Sequence, residues 1–263
     1  QLSYAGSQAK KLNLSVFALG SRRMVTRFLI LMPLAGLLPL SGTSRGEPDV
    51  STFSIVARDP STGELGVAVQ SKFIAVGSVV PYAEAGVGAI ASQALGNTRY
   101  GPVGLRLLRD GKTAGETVRL MTQADPVRER RQLGIITPDG NASIHTGRKC
   151  LAWAGGQTGP HYAVQGNLLA GPQVTQAMAR AFEDANGTLA ERMIESLRAG
   201  QKAGGDKRGR QSAALLIVRE GWGYARLNDR FRDLRVDDHP TPIEELERIY
   251  RIHRKVFPRP QPR

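Results

Sequence analysis

Apolar positions along this chain follow two periods that take turns. Residues 52–58 (TFSIVAR) and 64–71 (ELGVAVQS) predict two paired strands around Asp59-Pro-Ser-Thr-Gly63, where Pro and Gly supply the turn. Gly86 to Ala94 predicts a third strand, rich in Gly and Ala as befits one that something approaches closely. The period then lengthens, and 101–110 and 113–124 read as two helices, broken at Gly111 and stopped by Pro126. The same order returns. Gln132–Thr137 and Ala142–Thr146 flank Pro138-Asp-Gly-Asn141, a hairpin signal, and a further strand ends at Tyr162-Ala-Val-Gln-Gly-Asn167. Helices are expected at 171–186 and 188–200 with Gly187 between them, then strands at 212–219, 223–227 and 231–236. A last helix, Thr241–Lys255, carries Pro242 in its first turn and Glu244, Glu245 and Glu247 near the positive end of its dipole.

Strand pairs alternating with helix pairs do not suit a doubly wound parallel sheet, in which single helices separate strands. They predict an α+β fold of two sheets packed face to face with helices outside, as one domain over 52–257 and a disordered Pro/Arg-rich tail over 258–263. Ahead of the domain, residues 1–23 show no sustained period and read as an upstream extension. Residues 24–46 read as a signal peptide: Met24 as the start, Arg27 as its basic region, and an apolar run of 13 residues from Phe28 to Leu40. That run is short for a bilayer core of ~30 Å, so an exported protein with no stable membrane span after leader removal is expected. Residues 47–51 are a short linker. Small residues stand at −3 and −1 for a cut after Ser44 or Gly46, whereas a cut after Ser51 would put Asp49 at −3.

Composition narrows the function classes. The 263 residues are 41% hydrophobic, enough for a substantial core, and the formal charge is +13. Residues 1–51 hold six Lys/Arg against two acids, and the last ten residues hold four Lys/Arg and no acid, so the excess sits mainly in the ends. A nucleic-acid partner is therefore not expected. Cys150 is the sole cysteine, which excludes an internal disulfide and a Cys-rich zinc site, and it reads as a small packed residue. The four histidines are dispersed, and neither a metal nor another cofactor is expected. Gly42-Thr-Ser-Arg-Gly46 has nucleophile-elbow spacing but lies in the leader, and Gly86-Val-Gly-Ala-Ile-Ala91 has dinucleotide-fingerprint spacing but lies inside a strand. Gly204-Gly-Asp-Lys-Arg-Gly-Arg210 reads either as an anion-binding loop or as a flexible turn. Asp237-Asp-His239 reads either as a cation-binding or proton-tuning cluster or as a capping turn.

Five ordered phrases, Thr52-Phe-Ser-Ile-Val-Ala-Arg-Asp59, Gly63-Glu-Leu-Gly-Val-Ala-Val69, Tyr162-Ala-Val-Gln-Gly-Asn167, Gly204-Gly-Asp-Lys-Arg-Gly-Arg-Gln-Ser212 and Asp233-Leu-Arg-Val-Asp-Asp-His-Pro240, resemble the domain of unknown function 1028 family. That family is placed among proteins resembling the N-terminal nucleophile (Ntn) hydrolases and has no assigned reaction. The resemblance covers roughly 52–255 and implies a four-layer αββα sandwich. Some relatives carry a peptidoglycan-binding module, which suggests a cell-wall setting, and this chain shows no such module. In the Ntn reading the protein is an exported amidohydrolase acting on a small-molecule, peptide or glycopeptide substrate. Thr52 Oγ attacks the amide while its own α-amine, with a pKa of about 7.7–8.0, accepts the proton. Asn167 and the Gly166 backbone are the expected oxyanion donors. Ser71, Lys72, Gln93, Asn97, Gln165, Arg210, Asp238 and His239 are the candidates for substrate binding. Two alternatives stand beside this one: a non-catalytic ligand-binding module on the same scaffold, and a metal-dependent hydrolase built on Asp237, Asp238 and His239. The sequence leaves a homo-oligomer open.

Overall fold

The computed structural model describes residues 52–260. The expected extension, leader and linker, and residues 261–263, lie outside them. β1 (Thr52–Arg58) pairs antiparallel with β2 (Leu65–Ser71), Thr52 opposite Ser71. The predicted turn between them forms because Asp59 Oδ1 accepts hydrogen bonds from Ser61 N, Ser61 Oγ and Thr62 N. β3 (Pro81–Glu84) and β4 (Gly88–Ala94) lead into α1 (Tyr100–Arg109) and α2 (Ala114–Gln123). α2 starts on a capping box in which Thr113 and Glu116 satisfy each other's backbone donors. β5 (Arg131–Ile136), β6 (Ala142–Thr146), β7 (Gly155–Gly159) and β8 (Tyr162–Asn167) follow, then α3 (Gln173–Asp184) and α4 (Leu189–Lys202). A second capping box, Thr188 with Glu191, opens α4. β9 (Ser212–Val218), β10 (Arg230–Val236) and α5 (Pro242–Val256) complete the chain.

The strands form two antiparallel sheets, one ordered β10-β9-β2-β1-β8-β7 and the other β3-β4-β5-β6, giving a mixed α+β fold with five α-helices among the described residues. Strand alternation divides the core into three apolar clusters. Phe53, Ile55 and Ala57 of β1 pack with Tyr162, Val164 and residues of α3, α4 and α5. Val56 of β1 points the other way and meets Leu65, Val67, Val69, Ala89, Ala91, Ile136, Ala163, Leu216 and Val218, drawn from both sheets. Ile90, Leu133 and Ile135 of the smaller sheet pack with Tyr100, Leu108, Val118 and Met121 of α1 and α2.

Three expectations change. Residues 223–227 do not form a strand: Tyr224–Arg226 is a short 3-10 turn with Ala225 at φ 52°, closed by Gly223 N to Asn228 O at 2.7 Å. β3 and β7 were not expected at all. β7 reads Gly-Gly-Gln-Thr-Gly, a composition poor in strand formers, and it holds its place because the backbone of β8 comes so close that a Cβ on Gly156 would lie 2.3 Å from Val164 O. Within the expected tail, Arg259 ion-pairs with Glu64 and lies 5.6 Å from the Trp222 ring, so residues 258–260 run against the body.

Candidate functional site

The layer between the two sheets is apolar at one end and polar at the other. On β1, the residues that face this layer are Thr52, Ser54 and Val56, and on β8 they are Ala163, Gln165 and Asn167. Thr52 sits between Ser71 and Asn167 in the sheet register. Its Oγ1 is 3.1 Å from Ser71 Oγ, and its carbonyl accepts from Gln93 Nε2 at 3.3 Å. Ser54 Oγ donates to Gln93 Oε1 at 2.6 Å and accepts from Gln165 Nε2 at 2.6 Å. Gln93 reaches from β4 in the opposite sheet, so a single amide clips β1 to β4 at both its atoms.

Gln132, on β5, is the hub that the sequence did not single out. Its Oε1 accepts from Gln93 Nε2 at 2.9 Å and from Asn167 Nδ2 at 3.1 Å. Its Nε2 lies 2.8 Å from Gly166 O, 2.9 Å from Thr146 Oγ1 and 3.3 Å from Gly155 O, so it ties β8, β6 and β7 together. Gly134, one step further on the same face of β5, makes room for the Gln165 amide; a Cβ there would lie 2.3 Å from Gln165 Oε1. Thr52, Ser54, Ser71, Gln93, Gln132, Gln165 and Asn167 are all fully buried or within 1% of it. A polar group taken out of water costs free energy unless paired; Gln93, Gln132 and Asn167 meet that cost by bonding to one another and Gln165 Nε2 by bonding to Ser54, while Gln165 Oε1 is left without a partner among the described residues.

The other expected site residues spread out. Asn97 turns away because Ala94, at φ 64°, ends β4 in a left-handed bend, and its Nδ2 donates to Asp125 Oδ2 at 3.0 Å. There it joins Tyr100 OH and Arg131 Nε on the same carboxylate. Burial raises the Asp125 pKa, but the Val127 N–H, Asn97, Arg131 and Tyr100 outweigh it and hold it at about 2. Asn97 is thus committed to the base of α1 rather than to Thr52. Gly166 enters the network through its carbonyl, which accepts from Gln132 Nε2. Lys72 donates its backbone N–H to Asp206 Oδ2 at 2.9 Å. Arg210 faces Glu244 at 3.9 Å. Asp238 Oδ1 accepts from Gln211 Nε2, while His239 Nδ1 accepts from Thr241 N at 3.1 Å at the entry to α5. The Asp237-Asp-His239 segment thus bonds to the chain just before α5, and no side chain caps that helix. Among the described residues no group of three His, Cys, Asp or Glu stands together as a metal site.

Residues 52–246 match the model of a family described as a family of unknown function, DUF1028. The chain belongs to the DUF1028 family. The match begins at Thr52, at the head of β1, where the buried polar residues gather. The crystal structure of a DUF1028 protein from Silicibacter pomeroyi is similar at 33% identity and a TM-score of 0.72, over 78% of this chain and 86% of that one. A weaker likeness, 15% identity and a TM-score of 0.34 over 80% of this chain and 99% of that one, is to Anbu, an ancestral β-subunit, from Yersinia bercovieri. No curated protein matches the sequence.

Proposed function

We propose that this DUF1028 protein is an exported amide hydrolase of the Ntn type, with Thr52 as its nucleophile once the chain ahead of it has been removed. In that reading the three apolar clusters are the seams of a four-layer αββα sandwich, and the polar end of its central seam is the active site. The observation that carries the proposal is the placement of Thr52: it heads the central strand, begins the family match, and has Ser71 Oγ 3.1 Å from its own Oγ1. While residue 51 is attached, Thr52 N is an amide and no base. A free α-amine titrates at about 7.7–8.0 and takes the Oγ proton near neutral pH.

The Oγ then attacks the substrate carbonyl, forming a C–O bond as the carbonyl electrons move to oxygen. Asn167, seated by its bond to Gln132, is the side-chain donor nearest in register for that oxyanion. Collapse expels the amine, which takes the proton from the α-amine, and water hydrolyses the ester to restore Thr52. Gln93, on the Thr52 carbonyl, fixes the strand's head so that the nucleophile is presented in one orientation.

The competing reading, a ligand-binding module, draws on the mutual pairing of the same buried amides, which a purely structural polar seam would also show. Thr52→Ala separates them. Hydrolysis by the mature protein disappears in the first case, with binding of an uncleaved substrate amide retained. Turnover that survives Thr52→Ala would refute the nucleophile.

A further inference from the structure

The glycine-rich segment 204–211 has no part in the chemistry above, yet its hydrogen bonds place it at the head of β1. Asp206 Oδ2 accepts from Lys72 N at 2.9 Å, and Lys207 N donates to Leu168 O at 3.1 Å. Lys72 follows Ser71 and Leu168 follows Asn167, the two residues that flank Thr52 in the sheet. With strands about 4.8 Å apart, residues 206–207 must cross some 10 Å from the end of β2 to the end of β8, over the start of β1.

The crossing is rigid. The Asp206 carboxylate is fully buried and holds Lys72 N, Arg208 N at 2.8 Å and the Arg208 guanidinium at 3.1 Å. Gly204 N, Gly205 N, Gly209 N and Gln211 N go to the carbonyls of Gln201, Gly200, Asp206 and Ser71. These amides are spent on anchoring, so the segment is neither a flexible turn nor a backbone anion nest. What it offers a ligand is side-chain charge. Lys72 and Lys207 are both exposed, and neither has an ion-pair partner among the described residues. Lys207 Nζ leans to the β8 side, 3.4 Å from Ala152 O. Of the nearby acids, Asp206 is held as above, Asp238 bonds to Gln211 and Glu244 lies opposite Arg210.

We propose that Lys72 and Lys207, held on either side of the head of β1 by the Asp206 crossing, form a carboxylate subsite, so that the substrate carries a carboxylate beside its scissile amide. This rests on the nucleophile reading for the word substrate, but the subsite can be measured without it. The probes are glutaryl-p-nitroanilide, its neutral counterpart pentanoyl-p-nitroanilide, and glutarate itself. With two exposed ion pairs of the usual modest strength, the mature protein prefers the glutaryl anilide in kcat/KM by about tenfold, a preference that shrinks as salt is raised. Lys72→Gln with Lys207→Gln brings that ratio close to one. In the Thr52→Ala protein, calorimetry shows glutarate binding that the same double substitution weakens by a similar factor. Glutarate binding with neither anilide cleaved supports the subsite and refutes Thr52 as a nucleophile towards these anilides. Absence of glutarate binding, or equal kcat/KM for the two anilides, overturns the subsite.

Discussion

The two ends of the layer between the sheets are built from the same strands and differ only in which residues occupy the inward positions. At one end Val56, Val67, Ile136, Ala163 and Leu216 meet as an ordinary apolar core. At the other, two residues along on β1, β8 and β5, inward positions carry Ser54, Gln165, Gly134 and then Thr52, Asn167, Gln132. Apolar packing tolerates many sequences of similar volume, whereas a buried amide needs its partner at one distance and angle. The polar end is therefore the more exacting of the two, and it is the end that holds the head of β1. Keeping seven buried polar residues there, where apolar ones would pack without such constraints, is what makes this end the candidate site.

The largest effect is expected at the hub. Gln132→Leu keeps the volume but removes the hydrogen bonds to Gln93 Nε2, Asn167 Nδ2, Gly166 O and Thr146 Oγ1, and at roughly 1 kcal/mol for each bond lost the unfolding free energy should fall by about 4 kcal/mol. Urea denaturation reads this directly; a Gln132→Leu protein as stable as the parent would mean that the amides are not mutually supporting. At the apolar end, Ile136→Ala should cost about 3 kcal/mol through lost burial and the cavity left behind, while leaving the chemistry proposed for Thr52 in place. A loss of activity per folded molecule in Ile136→Ala would erase the distinction between the ends.

Asp125 sharpens the comparison from outside the layer, since its buried carboxylate is charged and bonds to the Arg131 guanidinium as well as to Asn97, Tyr100 and the Val127 N–H. Its folded pKa of about 2 lies below the ordinary 3.8. A depressed acid stabilises the fold above its unfolded pKa, so this contribution is complete at neutral pH and disappears as pH falls from about 4 towards 2. Its size is about 2 kcal/mol by linkage. Asp125→Asn should lower stability at pH 7 by a similar amount and flatten the acid limb of the stability curve; an unchanged limb would remove Asp125 as its cause.

Much of the fold was legible because its strands and helices keep their periods. β1, β2, β4, β5, β6, β8, β9 and β10, and all five helices, lie where alternation and the Gly and Pro breaks put them. β3 escaped because four half-buried residues headed by a proline carry little period, and β7 because three of its five residues are glycine. The site was half legible. Thr52, Ser71, Gln93, Gln165 and Asn167 stand at strand ends where polar residues are conspicuous. Gln132 stands near a strand start too, but nothing in Arg131-Gln132-Leu133 says that its amide turns inward, because only the register of β4, β5 and β8 decides that. Asn97 shows the opposite case: it is close to Gln93 in sequence, yet one left-handed residue, Ala94, separates them and its amide joins the Asp125 cluster.

The proposed chemistry turns on the bond ahead of Thr52, and the N-terminal sequence and intact mass of the mature protein test it most directly. The proposed chemistry predicts a chain that begins with Thr52-Phe-Ser-Ile, its α-amine free. A mature chain that begins at Arg45 or Glu47 and is never trimmed further would contradict it, because Thr52 would then have no amine of its own to act as base.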